Sequence, residues 1–344
     1  MSRFIGPELS VGTIAAGKLR RYHKMSVIKH LHPSILFANF KDGFLVAIGT
    51  IQSLVKLILW RPDIVFAKGG YVCLPVGVAA RLLNVPLVIH DSDVHPGLTN
   101  RILSKWAKVI ATGAPLEYYN YPTDKTHFVG IPTAVEFHEF SDKDKQQAKD
   151  KWGINQERPL VVITGGGLGA KRINNAVVVI LDDLLRLGSI VLVAGAGQYD
   201  ELNAITPPNS KNFQLHGFIS EDLATLLGAA DVVVTRAGAT TISELAALKK
   251  PTILIPNIEL TGGHQVKNAA VYKDKKAAIV IDETELAHTP QVLVKAIKDI
   301  LDNPENAREM AVAFNKFARP HAARDMALLI TKVTDGAKHT HKGM

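Results

Sequence analysis

Apolar residues in this chain fall into short unbroken runs set between longer stretches of helical spacing. In the first half the runs lie at 63–67, 87–90 and 109–111, with helix-like stretches at 74–83 and 97–106 between them. In the second half they lie at 160–164, 189–194, 213–215, 231–235 and 252–255. Helical patterns occupy 171–187, 221–228, 239–248, 264–274, 288–301, 304–316 and 320–334. A strand that is apolar at successive positions is covered on both faces, as in a parallel sheet with helices on either side. Strands alternating with helices in this way make βαβ units.

The alternation breaks at 133–158, where Asp142, Lys143, Asp144, Lys145, Lys149, Asp150 and Lys151 form a charged stretch. A second strand–loop–helix series then starts at Leu160. The expected fold class is α/β, with two Rossmann-like domains. We expect a first domain at 1–135, a linker at 136–158 and a second domain at 159–319, with the helix 320–334 packing back on the first. No period of solenoid length repeats.

The run 41–60 is strongly apolar but is interrupted by Gln52, Ser53 and Lys56. A membrane span needs about 20 predominantly apolar residues. A core helix with one exposed face is the plainer expectation, and an interfacial helix is the alternative.

The length of 344 residues fits two domains, and 47% apolar with 21% charged residues excludes a disordered chain. One cysteine, Cys73, excludes a disulfide framework and a cysteine-based zinc site. No apolar segment near Met1 reads as a signal peptide. The net charge of +8 is uneven: before residue 31, Arg3, Lys18, Arg20, Arg21, Lys24 and Lys29 stand against Glu8 alone. Such a cluster suits nucleic acid, anionic lipid or a phosphate-bearing substrate.

Three strand-end loops carry candidate chemistry. The first is Gly165, Gly166, Gly167, Leu168, Gly169 and Ala170, after an apolar strand and before a helix. Glycines let a phosphate approach the backbone, and a helix start offers free N–H groups. The spacing also matches the dinucleotide fingerprint, but the next strand ends in Ala194, Gly195, Ala196 and Gly197 without the required acid. Asp182 and Asp183 fall too early, and no Gly-Lys-Ser/Thr follows, so nicotinamide and Walker-type readings fall away. Close strand–helix packing is the plainer role for these glycines.

The second loop runs Arg236, Ala237, Gly238, Ala239, Thr240, Thr241, with Glu244 in the helix beyond. Its helix start suits a diphosphate, and Glu244 suits a ribose diol, although it also reads as an acid near a helix N-terminus. The third loop passes Gly262 and Gly263 into His264 and Gln265, which suit sugar hydroxyls or helix capping. All three stand at the carboxyl ends of parallel strands, where open α/β sheets bind ligands. Together they point to a nucleoside diphosphate carrying a sugar.

This set resembles the MurG-type glycosyltransferases of peptidoglycan synthesis. The resembling residues are Ala16-Gly17-Lys18-Leu19-Arg20-Arg21-Tyr22, Lys68-Gly69-Gly70-Tyr71-Val72 after Arg61-Pro62-Asp63, and His90-Asp91-Ser92-Asp93 with Pro96-Gly97-Leu98-Thr99-Asn100-Arg101. The second half adds the glycine loop, Phe218-Ile219, the stretch from Arg236 to Glu244, and His264-Gln265 with Asn268-Ala269. The resemblance implies the GT-B fold, two Rossmann-like domains facing across a cleft, with the N-terminal one incomplete. It implies inverting transfer of GlcNAc from UDP-GlcNAc to undecaprenyl-pyrophosphoryl-MurNAc-pentapeptide, lipid I to lipid II, with no cofactor and no metal.

Carried over, the main chain at Ile219 reads uracil, Glu244 holds the ribose, and Ala239, Thr240 and Thr241 take the diphosphate. His264 and Gln265 contact the sugar. Asp93, Gly165, Gly166, Gly167, Gly169, Arg236 and Gly238 complete the expected UDP-GlcNAc site. Gly69, Gly70, Tyr71 and Asn100 face the acceptor. His90 and Asp91 are the candidate bases in the chain as given, and a His in the family's opening Gly-rich loop is the rival. Lys18, Arg20, Arg21 and Lys24 face an anionic membrane, so the implied location is peripheral, at the cytoplasmic face of the cell membrane, with no nucleic-acid partner.

The chain departs from the family pattern. An opening strand, its Gly-Gly-Thr-Gly-Gly-His-like loop and the following βα unit are missing, which points to a start codon placed too far downstream. Asp93 stands where the family commonly has Asn, Ala134 where it has Arg, and Gly167 where it has Ser. A non-catalytic nucleotide-sugar-binding protein, a related UDP-sugar glycolipid transferase and a UDP-GlcNAc epimerase of the same fold remain as alternatives.

Overall fold

The computed structural model describes residues 10–18, 33–167, 169–259 and 263–341. The chain divides into two compact units. The first takes the described residues up to Ser92, then Pro96–Phe128, and those from Arg324 onward; the second takes Asp93–His95 and Val129–Ala323.

In the first unit α1 (Pro33–Trp60), β1 (Val65–Ala67), α2 (Cys73–Leu82), β2 (Leu87–Asp91), α3 (Leu98–Leu103), β3 (Val109–Thr112) and β4 (Thr126–Phe128) follow in order. The four strands form one parallel sheet, β1-β2-β3-β4. All five residues of β2 are buried, as expected for a strand covered on both faces. Leu57, Leu74, Leu87, Ile89, Leu103 and Ile110 make the core. Gly77 lets α2 close on α3, because a Cβ there would lie 2.5 Å from a Leu103 methyl group.

The α1 helix differs from the expected core helix. Only Asp42, Gly49, Ser53 and Leu57 of its described side chains are buried, a stripe one or two turns apart at each step. The segment 10–18 lies along that stripe. The Ala15 N–H donates to Gln52 Oε1 at 2.7 Å, and a Cβ on Gly49 would strike the Ala15 carbonyl. Phe37, Phe40, Phe44, Ile51, Val55 and Ile58 are exposed. By length and composition the stretch Phe37–Trp60 is long and apolar enough to cross a membrane, and 17% of its most apolar window is buried.

The second unit contains α4 (Asp142–Lys151), β5 (Leu160–Thr164), α5 (Lys171–Val179), α6 (Leu181–Leu187), β6 (Ser189–Val193), α7 (Tyr199–Asn203), β7 (Phe213–His216), α8 (Leu223–Ala229), β8 (Val232–Thr235) and α9 (Ala239–Leu248). It continues with β9 (Thr252–Leu254), α10 (His264–Asp274), β10 (Ile279–Val280), α11 (Glu283–His288), α12 (Gln291–Asp302) and α13 (Pro304–Asn315). Its parallel six-stranded sheet has the order β10-β9-β8-β5-β6-β7. From β5 the chain builds outward through β6 and β7, then returns to the other side of β5 for β8, β9 and β10. The strand order therefore reverses between β5 and β8.

Local chemistry explains where the elements depart from expectation. The stretch 136–158 is not a free linker: Ser141 and Asp144 form a capping box that starts α4, and α4 lies within the second unit. The expected helix 171–187 breaks at Ile180 (φ −109°, ψ 14°), after three consecutive valines of poor helix propensity. The last helix, α14 (Ala322–His341), extends beyond the expected 320–334, and from Arg324 onward it belongs to the first unit.

Candidate functional site

The reversal between β5 and β8 places two loops side by side at the carboxyl edge of the second sheet. In open α/β sheets ligands bind at such a point. The β5 loop is tightly folded: a Cβ on Gly165 would lie 2.4 Å from the Ala170 nitrogen. Gly169 sits at φ +74°, where a Cβ would lie 2.4 Å from the Ala194 carbonyl oxygen beyond β6. Gly166 (φ +76°) and Gly167 have open space where a side chain would stand. Two of these glycines therefore serve packing, and two leave the backbone open to a ligand.

The β8 loop leads into α9 through Gly238, which offers no side-chain cap. The N–H groups of the first turn of a helix have no intrahelical acceptor, and the helix dipole makes that end positive. No acid occupies the first turn of α9, made by Ala239, Thr240 and Thr241. Glu244 lies further along the helix, half-buried and without an ion pair or hydrogen bond among the described residues. Burial pushes its carboxyl up to about 7. An ionisable group desolvated without a partner marks a candidate site.

The β9 loop delivers α10, with His264 and Gln265 at its start. Gln265 Oε1 accepts the Asn257 N–H at 2.8 Å. His264 Nδ1 lies 3.6 Å from Asp93 Oδ2, and its ring centroid is 6.4 Å from that of His95. Asp93 belongs to this unit and accepts from the buried Asn268 amide at 3.0 Å. Ile219 follows β7, the edge strand, so its loop stands two strands from β5.

Arg236 does not offer its guanidinium to a ligand. It is buried, donating to the Ile255 carbonyl at 3.2 Å and to Glu283 Oε1. Glu283, 1% exposed, also accepts from Arg172 Nη1 at 2.9 Å, and Arg172 pairs with Glu259. The sequence alone does not single out Glu283, Arg172 or Glu259. Arg172 follows the glycine loop by two residues, which was the available signal. Glu283 is brought in by the fold from 111 residues away.

In the first unit the expected acceptor-side residues divide. Gly69 (φ +88°) and Gly70 (φ +84°) carry the turn after β1, and Tyr71 is exposed. Asn100 is buried, donating to the His90 carbonyl at 3.0 Å, and its amide lies against Gly69, so it shapes the loop and does not face solvent. His90 is 0% exposed, with Nδ1 3.2 Å from Ser92 Oγ. Asp91 is buried and accepts from Tyr121 Oη at 2.8 Å; burial and that carboxylate push the Tyr121 phenol well above its usual range. Neither candidate base reaches solvent. Lys18 is exposed, while Arg20, Arg21 and Lys24 lie outside the described residues. Among the described residues no three His, Cys, Asp or Glu side chains gather as metal ligands.

A cavity of about 680 Å³ opens at the opposite, amino-terminal edge of the second sheet, lined by Lys149, Arg158, Asp231, Lys250 and Pro251 among others. It is remote in topology from the three loops, which all leave carboxyl ends.

Residues 160–326 match the glycosyltransferase family 28 C-terminal domain, and residues 11–112 match the glycosyltransferase family 28 N-terminal domain. The chain belongs to glycosyltransferase family 28. It is 34% identical over 294 residues to the UDP-N-acetylglucosamine–N-acetylmuramyl-(pentapeptide) pyrophosphoryl-undecaprenol N-acetylglucosamine transferase of Clostridium perfringens, covering 85% of this chain and 76% of that one. The protein of the same name from Staphylococcus aureus is 33% identical over 296 residues, covering 86% and 77%. The crystal structure of MurG from Acinetobacter baumannii is similar with a TM-score of 0.68 at 28% identity, over 85% of this chain and 79% of that one. The UDP-GlcNAc 2-epimerase of Neisseria meningitidis, at a TM-score of 0.61 and 14% identity over 84% of this chain and 81% of that one, shares the fold alone.

This family 28 chain has the GT-B glycosyltransferase fold, with a parallel sheet in each of its two units. Its departures from the family pattern have physical surroundings. Gly167 leaves open space above the glycine loop, Ala134 is exposed, and Asp93 receives the Asn268 amide.

Proposed function

We propose that this family 28 chain transfers N-acetylglucosamine from UDP-N-acetylglucosamine to N-acetylmuramyl-(pentapeptide) pyrophosphoryl-undecaprenol, the conversion of lipid I to lipid II in peptidoglycan synthesis. One observation carries the donor half of this reading. The open glycine loop after β5 and the uncapped start of α9 stand next to each other, with the unpartnered Glu244 one turn beyond.

In this reading the diphosphate lies on the N–H groups at 239–241 and against the open backbone at Gly166 and Gly167. Those groups stabilise the charge that develops on the UDP leaving group, and being fixed they need no reorganisation as it departs. The Glu244 carboxylate accepts from the ribose hydroxyls, and the main chain at Ile219 reads the uracil edge. Gln265 and His264 meet the sugar. Transfer inverts the anomeric carbon, with the acceptor hydroxyl attacking as UDP leaves. Its proton needs a base exposed to the acceptor, and the burial of His90 and Asp91 argues against both in this conformation.

The acceptor is lipid-linked, so the enzyme works at a membrane surface. Support for peripheral attachment comes from α1, which exposes Phe37, Phe40, Phe44, Ile51, Val55 and Ile58, with Lys18, Lys41 and Lys56 also exposed. An apolar helix face with basic residues at its border lies in the headgroup region of an anionic bilayer. The excess of positive charge is read as serving this surface at the cytoplasmic face, with no nucleic acid involved.

The deciding experiment measures UDP release from UDP-GlcNAc with and without lipid I. Acceptor-stimulated release with a disaccharide product supports the transferase. Release unaffected by acceptor overturns it, and free N-acetylmannosamine would indicate epimerisation instead.

A further inference from the structure

A line of contacts in the second unit joins the three loops, and apart from its end at Gln265 it passes through residues given no ligand contact above. Arg236, the first residue after β8, donates to Glu283. Glu283 accepts in turn from Arg172, in the first turn of α5 at the exit of the glycine loop. Arg172 also pairs with Glu259, in the loop after β9. The Glu259 N–H donates to Asn257 Oδ1 at 2.8 Å, and the Asn257 N–H donates to Gln265 Oε1 at 2.8 Å. The line therefore starts beside the α9 N-terminus and ends on the side chain that opens α10.

We propose that Glu283 and Arg172 are positioning residues of the donor site, Glu283 fixing the diphosphate-binding helix start and Arg172 fixing the sugar-facing Gln265. The proposal rests on the donor reading above. Glu283 is almost fully buried between two guanidinium groups, so each of its oxygens makes a charge-assisted hydrogen bond. Removing a buried partner of this kind leaves the other charge uncompensated, so Arg236 moves if Glu283 is lost. Arg236 lies two residues before Gly238, and its movement shifts the N–H groups of α9.

The outer limb works differently. Arg172 and Glu259 are both substantially exposed, with side chains 42% and 69% accessible, so their pair adds little to folding stability. Its effect is to hold 257–259 against α5. With Asn257 fixed, the Gln265 carbonyl oxygen is occupied and its amide NH2 is the end left to donate to a sugar oxygen. The two limbs thus divide the donor: the inner one governs the nucleotide, the outer one the sugar.

Calorimetric titration of the full chain with UDP and, separately, with UDP-GlcNAc tests this division. Glu259→Gln should weaken UDP-GlcNAc binding about three- to tenfold, leave UDP binding within about twofold, and leave Tm unchanged. Arg172→Ala, which also strips the buried Glu283 of one of its two cations, should weaken both ligands and lower Tm. Glu283→Gln should weaken both ligands. If Glu259→Gln changes neither ligand, or changes both equally, the proposal is overturned while the donor site stands. Wild-type protein that binds neither UDP nor UDP-GlcNAc overturns the donor reading, and this proposal with it. Should Glu283→Gln or Arg172→Ala fail to fold, Glu259→Gln alone decides the division.

Discussion

The side chain of Asn268 holds Asp93: its Nδ2 donates to Asp93 Oδ1 at 3.0 Å while its Oδ1 accepts the Val94 N–H, also at 3.0 Å. The same Nδ2 lies 3.2 Å from the Ala237 carbonyl. One buried amide thus ties residues 93–94 and the loop before α9 to α10. Asn268→Asp would turn the donor into an acid facing Asp93, and a buried unpaired acceptor costs about 1–3 kcal/mol before the like-charge term is added. We expect a clear fall in Tm at pH 7 that shrinks at pH 4, where protonation relieves the repulsion. A variant melting with wild type at pH 7 would remove this contact from the account.

Glu244 makes the site pH-dependent. Its carboxyl is pushed from 4.5 up to about 7 by burial. Between those values the unfolded chain has lost this proton and the folded chain keeps it, so stability falls as pH rises through the window. Glu244→Gln, which stays neutral, should therefore melt higher than wild type at pH 8 and no higher at pH 4. Binding runs the other way, because only the ionised form accepts from both ribose hydroxyls. UDP affinity of the wild type should rise from pH 6 to pH 8 and that of Glu244→Ala should be flat and at least tenfold weaker, a loss of about 1.5–3 kcal/mol for hydrogen bonds to a charged group. Equal affinities would sink the ribose assignment.

The glycines of the β5 loop should separate in a paired substitution. Gly169→Ala puts a Cβ 2.4 Å from the Ala194 carbonyl oxygen at φ +74°, so denaturant titration should show a loss of roughly 1–3 kcal/mol or more. Gly167→Asp meets nothing within 4 Å of its Cβ and needs no positive φ, so its stability should stay within about 0.5 kcal/mol of wild type. A carboxylate here would repel a diphosphate on this backbone. Normal stability with weakened UDP binding is the expected result, and unchanged binding would move the diphosphate away from the loop.

Replacing Phe37, Phe40 and Phe44 together with serine tests the membrane face of α1. Burial of each apolar side chain contributes about 1.5–3 kcal/mol when complete, so even partial insertion of three should leave the wild type at least about a hundredfold more vesicle-bound. Co-sedimentation with anionic vesicles measures this, and added salt should weaken wild-type binding through its basic border. UDP affinity should not change. A triple variant that still sediments would place attachment elsewhere.

The buried strands were legible in the sequence because both faces are covered: 160–164 and the helices 239–248 and 264–274 stand as expected. The strands β4 and β10 were not, since Thr126 and His127 leave β4 without an apolar run and β10 pairs through two residues only. The helix α4 was hidden by its charges, which make it polar nearly all round, although Ser141 and Asp144 at capping-box spacing announced it. Loops that could take phosphate were visible from glycine spacing. The inward turn of Arg236 was not, because its partner Glu283 follows it by 47 residues and only strand order brings them together.

The reversal between β5 and β8 has a thermodynamic consequence. The glycine loop belongs to the half-sheet built outward through β6 and β7, and the α9 start belongs to the half built through β9 and β10. A dianion gripped by both loops fastens one half-sheet to the other across their shared seam. Occupancy should therefore slow hydrogen exchange along the β5–β8 ladder, from Val161↔Val232 to Thr164↔Thr235, more than at the outer strands. On the donor reading the nucleotide would act as a second fastening between the two halves, added to the β5–β8 ladder itself.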